Sequence, residues 1–595
     1  MALRIEDYAL IGDTQTAALV GIDGSIDWLC APRFDSGAVF ASILGTPDHG
    51  RWQITPAGGI QRVEREYHGD TLVLETTFHT DDGVVRIVDL MPIRTKAVEL
   101  VRIVEGVSGR VPMHMDLRVR FDYGSIVPWV RQDDGRLRAI AGPDALVLTT
   151  PVLLEGAGPS TVAEFVVEAG QRVPFVMVWH PSHEPAPRAG DAQRLRKETI
   201  TWWNRWSGAA TAPADTRDLI MRSLITLKAL TYAPTGGIVA APTTSLPEWI
   251  GSVRNWDYRY CWLRDSVLTL DALMAGGYTE EAHAWRDWLL RAAAGAPEDL
   301  QIMYGVQGER RLTEFEVPWL PGYDGSAPVR VGNAASDQFQ LDVYGETLGS
   351  LHLMRMLFPP DDDGTDDSWA LETALLEYLE GVWHHPDDGI WEVRGGRQHF
   401  THSKVMAWLA FSCAVSSAEQ FDLPAPLDRW RQARDEVHAL VCNEGYDPDL
   451  GSFTQAFGSK QLDGALLQLP MVGFLPPSDE RIRGTVAAIE RELVRDGFVL
   501  RYRSDQTDDG LPAGEGVFLP CSFWLVDNYV MQGRTEEAWA LYRRLSALAN
   551  DVGLFSEEYD PASGRMLGNM PQAFTHLAAV RAAQVLTAAP PQTMH

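Results

Sequence analysis

The sequence has no basic run and no arginine-rich arm. Its 81 acidic residues outnumber its 51 basic residues and give a formal net charge of -30. A chain this acidic repels phosphate backbones and anionic lipid surfaces, so neither nucleic acid nor a membrane is expected as a partner. We interpret the acidic excess itself as a feature of the solvated surface.

Cysteine is scarce, and no two cysteines form a CxxC pair. The five are Cys30, Cys261, Cys413, Cys442 and Cys521. Their scattered, odd-numbered pattern fits neither a disulfide framework nor a zinc site, and reduced thiols predict a cytoplasmic protein. The N-terminus lacks the basic start, apolar stretch and cleavage site of a secretory signal, and no window approaches the roughly 18 apolar residues of a membrane helix.

Complete metal-binding patterns are also lacking. His384, His385, His399 and His402 cluster in the sequence but include no helical His-x-x-x-His pair with an acid. The acidic stretch 361–367 contains only part of the ligand pattern of a calcium loop, so a solvated loop is the better interpretation. We therefore predict no metal site.

Two regions of different character follow each other along the 595 residues. The first 190 contain short, β-branched apolar segments separated by turns rich in Gly, Asp and Pro, such as 71–78, 84–90, 145–150 and 173–179. This pattern predicts an N-terminal antiparallel β-sandwich over residues 1–190. A proline-rich stretch at 180–187 and a connecting helix within a linker, residues 191–214, come next.

From residue 215 to 595 the apolar residues recur every three or four positions, which predicts helices. The predicted helices are 216–232, 266–275, 279–294, 341–357, 369–384, 402–418, 428–443, 479–495, 518–531, 535–549 and 572–586. Eleven or twelve helices with long aromatic, glycine-rich loops predict an (α/α)6 barrel whose loops build a site at one end. The given sequence ends soon after the last of these helices, so we expect no appended starch-binding domain.

Residues 254–265 are the densest chemical segment, with three arginines and two aspartates among four aromatic residues. Aromatic rings cover sugar faces, and Arg and Asp side chains bind vicinal hydroxyls in fixed geometry. The alternative is a buried ion-pair network that closes the barrel. With twenty tryptophans in the chain, sugar stacking is plausible wherever a tryptophan adjoins such a motif.

Two further loops carry carboxylates. In 387–394, Glu392 follows Trp391, and apolar contact there would raise the pKa of the glutamate, as a general acid requires. In 554–561, Glu557 and Glu558 precede the final helix and could include a base. Two more loops, 501–524 and 319–333, place arginines near aromatic residues, which fits sugar binding or ordinary loop structure equally well.

Together these segments resemble glycoside hydrolase family 15, which includes glucoamylases, glucodextranases and trehalases. The resemblance covers nearly the whole chain, and residues 5–30 are similar to the N-terminal domain of the bacterial trehalase-like branch. It implies a β-sandwich followed by an (α/α)6 barrel.

The resemblance also implies roles for individual residues. In the motif at 257–265, Arg264 and Asp265 would hold the hydroxyls of the terminal glucose, and Tyr258 and Trp262 would border its ring. Residues 388–392 resemble the general-acid loop, which assigns the acid to Glu392 and a ring platform to Trp391. Residues 556–559 resemble the general-base loop and favour Glu557 over Glu558, although Glu558 stands where the family often has glutamine. Arg501 would contact the substrate.

An inverting mechanism follows from these two acids and requires no cofactor. We expect an α,α-trehalase that acts on a small α-glucoside, and a homo-oligomer is left open. Three alternatives compete with it. A glucoamylase-like exo-α-glucosidase would share the glucose-binding half of the site, a glycoside phosphorylase would need no carboxylate base, and a sugar-binding protein would need neither acid.

Overall fold

The computed structural model describes residues 2–133, 135–357, 367–507 and 509–588. The acidic stretch considered above as a calcium loop lies outside these residues, apart from the helix that begins at Asp367. Among the described residues, no helix is both long enough and apolar enough to cross a membrane.

Fifteen antiparallel strands form the described part of the N-terminal region. They are β1 (Tyr8–Gly12), β2 (Ala17–Gly21), β3 (Ser25–Cys30), β4 (Ala38–Phe40), β5 (Arg51–Pro56), β6 (Ile60–Tyr67), β7 (Leu74–Thr80), β8 (Gly83–Leu90), β9 (Val98–Arg118), β10 (Trp129–Asp133), β11 (Arg136–Ala141), β12 (Asp144–Thr149), β13 (Glu155–Ala157), β14 (Ser160–Glu168) and β15 (Arg172–Pro181). The four segments predicted as strands overlap β7, β8, β12 and β15.

The long strand β9 joins two groups of strands. Its first half pairs with β8 and β15, and its second half pairs with β5 and β14. The partners change around Gly109, whose φ is +73° and where a Cβ would collide with the carbonyl oxygen of Asp82. Only glycine fits this combination of left-handed backbone and close approach.

Twelve α-helices follow in the part of the chain that the structure describes. They are α1 (Ala192–Ser207), α2 (Arg217–Ala229), α3 (Leu263–Ala275), α4 (Thr279–Ala293), α5 (Asp342–Leu357), α6 (Asp367–Val382), α7 (Thr401–Gln420), α8 (Leu427–Glu444), α9 (Glu480–Glu492), α10 (Leu519–Met531), α11 (Thr535–Ser546) and α12 (Ala573–Thr587). All eleven helices predicted after residue 215 are present, within three residues at each end.

Short strands connect the helices. They are β16 (Cys261–Trp262), β17 (Met303–Tyr304), β18 (Phe315–Glu316), β19 (Arg330–Val331), β20 (Tyr446–Asp447), β21 (Ser452–Phe453), β22 (Val494–Arg495), β23 (Phe498–Val499), β24 (Val517–Phe518), β25 (Glu558–Asp560) and β26 (Arg565–Leu567). Two of them matter for the site, because β24 pairs with β25 and so joins the loop before α10 to the loop before α12.

The helices after α1 pack in a closed circuit. Helix α3 packs on α5, α5 on α7, α7 on the 3-10 helix Gly464–Gln468, that helix on α10, α10 on α12, and α12 on α3. The remaining helices pack outside this circuit. The sequence explains the difference, since α10 is apolar on all sides and is buried almost throughout, whereas α11 buries only Ala538, Tyr542 and Leu545.

A buried glutamate in this circuit makes a prediction about stability. Burial, assisted by the carboxylate of Asp342, raises the pKa of Glu346 in α5 to about 8. The folded chain therefore keeps this proton between about pH 5 and pH 8, where the unfolded chain releases it, so the group lowers stability as the pH rises. We expect Glu346→Gln to raise the unfolding temperature by roughly 2–4 °C at pH 8 and by less at pH 5, as measured by calorimetry.

Glu372→Gln is the matched control. Glu372 is also buried on a helix, α6, but it pairs with the buried Arg355. Removing one partner of a buried pair leaves an uncompensated charge, so this variant should melt lower at both pH values. If Glu346→Gln also melts lower at pH 8, the carboxyl of Glu346 is not a destabilising group.

Candidate active site

Loops at one end of the helical circuit enclose a cavity. Seven of the eight site residues predicted from the sequence line it: Tyr258, Trp262, Arg264, Asp265, Trp391, Glu392 and Arg501. The eighth, Glu557, is fully buried and reaches the cavity wall through a hydrogen bond from the hydroxyl of Tyr258 to its Oε1, 2.6 Å long. The structure therefore brings all eight residues into one site.

Glu392 lies in the loop between α6 and α7 and has a φ of +58°, a left-handed conformation that is rare for a residue with a side chain. The carbonyl oxygen of Glu392 accepts a hydrogen bond from Gln338 Nε2 at 3.1 Å. Its carboxylate Oε1 accepts one from Trp262 Nε1 at 2.7 Å. Removal from water raises the pKa of this carboxyl, although Arg264 and Trp262 oppose the shift.

Arg264 and Asp265 open helix α3 beside Glu392. The Nε of Arg264 donates to Asp265 Oδ1 at 2.9 Å, and its Nη1 donates to the carbonyl of Ile390 at 2.8 Å. The same Nη1 is 3.9 Å from Glu392 Oε1. Arg264 thus links the first turn of α3 to the loop that carries Glu392, and the carboxylate of Asp265 lies on the cavity wall.

Glu557 and Glu558 are adjacent in the chain but have different partners. Glu557 accepts from the Tyr258 hydroxyl and from the backbone N–H of Asn569 at 3.1 Å. Glu558, the first residue of β25, accepts from the backbone N–H of Gly516 at 2.8 Å and lies 3.1 Å from Arg501 Nη2. Only Glu557 is bonded to a ring that lines the cavity.

Two aromatic rings connect the carboxylates of Glu557 and Glu392. Tyr258, which binds Glu557, and Trp262, which binds Glu392, have ring centroids 5.3 Å apart. Burial, together with the carboxylate of Glu248, raises the pKa of Glu557. The site therefore holds two carboxyls with raised pKa values on neighbouring rings, an arrangement suited to proton transfer.

Arg501 is the cation of a buried carboxylate cluster. Its Nη2 lies 2.9 Å from Glu248, 2.7 Å from Glu515 and 3.1 Å from Glu558. Glu248, Glu557 and Glu558 each bring one carboxylate oxygen within 4.8 Å of the others, the one such grouping among the described residues that could hold a metal ion. Arg501 lies against two of these three carboxylates, Glu248 and Glu558, so the grouping already contains one cation.

Arg394 and Trp256 form another part of the cavity wall. The guanidinium of Arg394 lies 4.3 Å from the ring centroid of Trp256, and its Nη2 is 3.3 Å from Glu314. Asp509 fixes the adjoining loop, since its Oδ2 accepts from Arg254 at 2.6 Å and from Tyr502 at 2.7 Å. This part of the wall is polar and charged.

The dense segment 254–265 combines both interpretations that the sequence allows. Asp257 and Arg259 are completely buried and form a two-pronged ion pair, with Nη2 to Oδ2 at 2.6 Å. Arg259 also donates to the carbonyl of Ser36 at 3.0 Å and faces the ring of Trp28. This pair ties the segment to the N-terminal strands, while the later part of the segment lines the cavity.

Sequence reasoning missed several wall residues. These are Glu248, Trp256, Asn333, Arg394, Asp509 and Gln572. Asn333 and Arg394 lie at the ends of loops that the sequence had already singled out. Glu248 lies in the stretch 245–249, which contains no residue assigned to the site. The one feature of the sequence that could have indicated its role is its position six residues before the dense segment 254–265. Trp319, in contrast, is 43% exposed and donates to the carbonyl of Tyr123 rather than lining the cavity.

The chain matches two family models along most of its length. Residues 214–584 match the model of glycosyl hydrolases family 15, and residues 1–207 match the trehalase-like N-terminal model. The chain is 38% identical to a trehalase of Mycobacterium tuberculosis over 97% of this chain and 89% of that protein. It is 39% identical to a trehalase of Mycolicibacterium smegmatis over 97% and 90%.

A solved structure has a similar fold. A bacterial glucoamylase in complex with acarbose superimposes with a TM-score of 0.75, at 12% sequence identity, and covers 98% of this chain and 94% of its own. At that identity the likeness concerns the fold alone, an N-terminal sheet region followed by a helical region.

Proposed function

The chain belongs to glycosyl hydrolase family 15 and is a glycoside hydrolase, and from this premise we propose that it is an inverting α,α-trehalase. One observation carries the mechanism: two carboxyls with raised pKa values are held on neighbouring rings, and Glu392 is the one that lines the cavity. Inversion needs an acid on one side of the glycosidic bond and a base that activates water on the other.

We assign the chemical roles as follows. Glu392, protonated, donates to the glycosidic oxygen, and Glu557, ionised, removes a proton from the attacking water. Arg264 and Asp265 bind the hydroxyls of the glucose whose anomeric carbon is attacked, which holds that carbon in line with the water. Tyr258 and Trp262 border the sugar ring and orient the two carboxylates through their hydrogen bonds.

Trp391 and Arg501 have supporting roles in this assignment. The Nε1 of Trp391 donates to Asp463 Oδ1 at 2.8 Å, which fixes the ring as a platform at the cavity wall. Arg501 lies on the wall with its Nη2 among three carboxylates, so its part in substrate binding stays a prediction from the sequence.

Trehalose is favoured over longer glucosides because both regions of the chain support it. The N-terminal region matches a trehalase-like model. The two relatives compared above are trehalases, and the match covers nearly their full length. A glucoamylase-like exo-α-glucosidase is the second candidate, since the glucose-binding residues would be the same.

The closed circuit of α3, α5, α7, the 3-10 helix, α10 and α12 supports an (α/α)6 barrel in which the 3-10 helix takes the place of one inner helix.

The division of the chain also remains our proposal. We propose a β-sandwich over 1–190, a linker over 191–214 and the catalytic barrel over 215–595. The break between the last long strand, which ends at Pro181, and helix α1 supports it. A cytoplasmic location and the state of oligomerisation stay predictions.

The first test is the anomeric form of the products. Hydrolysis of trehalose with inversion should release one β-glucose, from the half that is attacked, and one α-glucose, from the half that leaves. Proton NMR of the fresh products should therefore show equal amounts of both anomers before mutarotation. Release of α-glucose alone would contradict inversion, and a lack of glucose from trehalose, maltose, isomaltose and starch would contradict hydrolysis of α-glucosides.

A further inference from the structure

The carboxylate of Glu248 borders the cavity close to the buried base, Glu557. Glu248 lines the cavity, whereas Glu557 does not. Glu248 is itself only 2% exposed. Its Oε1 accepts from Trp256 Nε1 at 3.2 Å and its Oε2 accepts from Arg501 Nη2 at 2.9 Å. Each carboxylate oxygen can accept more than one hydrogen bond, so Glu248 retains acceptor capacity on the cavity side.

The carboxylates of Glu248 and Glu557 lie close enough together to hold one water molecule between them. A carboxylate oxygen of Glu248 and one of Glu557 lie no more than 4.8 Å apart. A water that donates both hydrogens at about 2.7–2.8 Å, with its own bond angle, requires acceptors roughly 4.3–4.8 Å apart. The upper limit of 4.8 Å for the glutamate pair is therefore compatible with a two-acceptor cradle for one water.

We propose that Glu248 is a further catalytic residue, which accepts one hydrogen bond from the attacking water while Glu557 accepts the other. This proposal rests on the proposed hydrolysis. The water oxygen forms a bond to the anomeric carbon as the bond to the leaving oxygen breaks, and Glu392 protonates that oxygen. One water proton passes to Glu557. The second stays on the new anomeric hydroxyl and points to Glu248, which fixes the direction of the water lone pair.

The charges around Glu557 give this proposal a signature in the pH profile. Glu557 is faced by Glu248, by Glu558 on β25, by the hydroxyl of Tyr258 and by the guanidinium of Arg501. Glu515 and Arg254 complete the cluster around Arg501. The negative charge of Glu248 raises the pKa of Glu557, so its removal should let the base ionise at lower pH.

The experiment compares Glu248→Gln with Glu515→Gln. Both side chains bind the same nitrogen of Arg501, at 2.9 and 2.7 Å, but Glu515 does not line the cavity. With trehalose we expect Glu248→Gln to lower kcat about 10²-fold while KM stays within about 3-fold. We also expect the acidic limb of its kcat/KM profile to move to lower pH. Glu515→Gln should lower kcat by less than about 10-fold and leave the acidic limb in place.

Glu248→Asp provides a second variant if the amide does not fold. It keeps the charge and shortens the side chain, so kcat should fall while the acidic limb stays in place. The proposal is overturned if Glu248→Gln keeps wild-type kcat, or if the two Gln variants lose activity equally with unmoved limbs, which would mean that Glu248 only holds Arg501. Absence of glucoside hydrolysis by the wild-type chain would instead contradict the proposed function.

Discussion

Glu392→Gln and Glu557→Gln should each lower kcat for trehalose by about 10³-fold or more. The amide keeps the shape of the side chain but cannot donate the proton that Glu392 supplies or accept the proton that Glu557 removes. Both side chains are held by ring hydrogen bonds, from Trp262 and Tyr258, that an amide oxygen can also accept. The fold should therefore survive. Steady-state kinetics with thermal melting of each variant checks both statements.

Glu558→Gln is the matched control for the base. Glu558 adjoins Glu557 in the chain and is equally buried, but it binds Gly516 and Arg501 rather than the hydroxyl of Tyr258. We expect it to lose much less kcat than Glu557→Gln. Should Glu558→Gln be the inactive variant while Glu557→Gln turns over normally, the base is Glu558 and the assignment is wrong by one position.

Most of the helices were predictable from the sequence because an outer helix has to bury a stripe of side chains at a period of 3.6 residues. This holds even for α9, whose buried Ile482, Val486 and Ile489 recur every three or four positions. The 3-10 helix Gly464–Gln468 was not predicted. It is only five residues long and buried on every side, so it shows no periodicity that distinguishes it from a buried loop.

The candidate site was predictable where one short segment carries several of its residues. Tyr258, Trp262, Arg264 and Asp265 lie within eight consecutive positions, and Glu392 lies beside Trp391. Apart from Arg501 and Glu557, residues that come to the site from other segments were missed. Glu248 and Asp509 are 261 positions apart in the numbering of the chain, and both contact Arg254 or its partners only after folding. Local patterns cannot reveal such through-space partners.

The same limit applies to the two interpretations of residues 254–265. Arg259 is buried against Asp257, whereas Arg264 lies on the cavity wall. Composition alone could not predict which of the two arginines belongs to the site. Both are arginines near an aspartate and aromatic rings. The difference arises from the N-terminal strands, since the carbonyl of Ser36 and the ring of Trp28 receive Arg259 and thereby remove it from the site.

Trehalose should be hydrolysed with a kcat/KM at least about 10²-fold above that of maltose or isomaltose. A trehalase must pair the hydroxyls of one leaving glucose in a closed polar pocket, because groups left unpaired in such a pocket disfavour the wrong sugar. Arg394 is suited to this task. It comes two residues after Glu392, lines the cavity and is held by Glu314 at 3.3 Å. Initial rates of glucose release from trehalose, maltose, isomaltose, maltotriose and isomaltotriose measure the preference for trehalose.

Arg394→Ala connects that preference to the structure. It removes a donor from the cavity wall beside Glu392 but leaves Arg264 and Asp265, the residues assigned to the attacked glucose, untouched. We expect kcat/KM for trehalose to fall about 10-fold or more and kcat/KM for maltose to fall less. The ratio of the two values, which measures the preference for trehalose, should therefore decrease. Whether the chain is a trehalase at all is decided by the rates of the wild-type chain with the different substrates. If maltotriose or isomaltotriose is cleaved faster than trehalose, the pocket must admit longer chains, and the chain is then an exo-α-glucosidase that uses the same pair, Glu392 and Glu557.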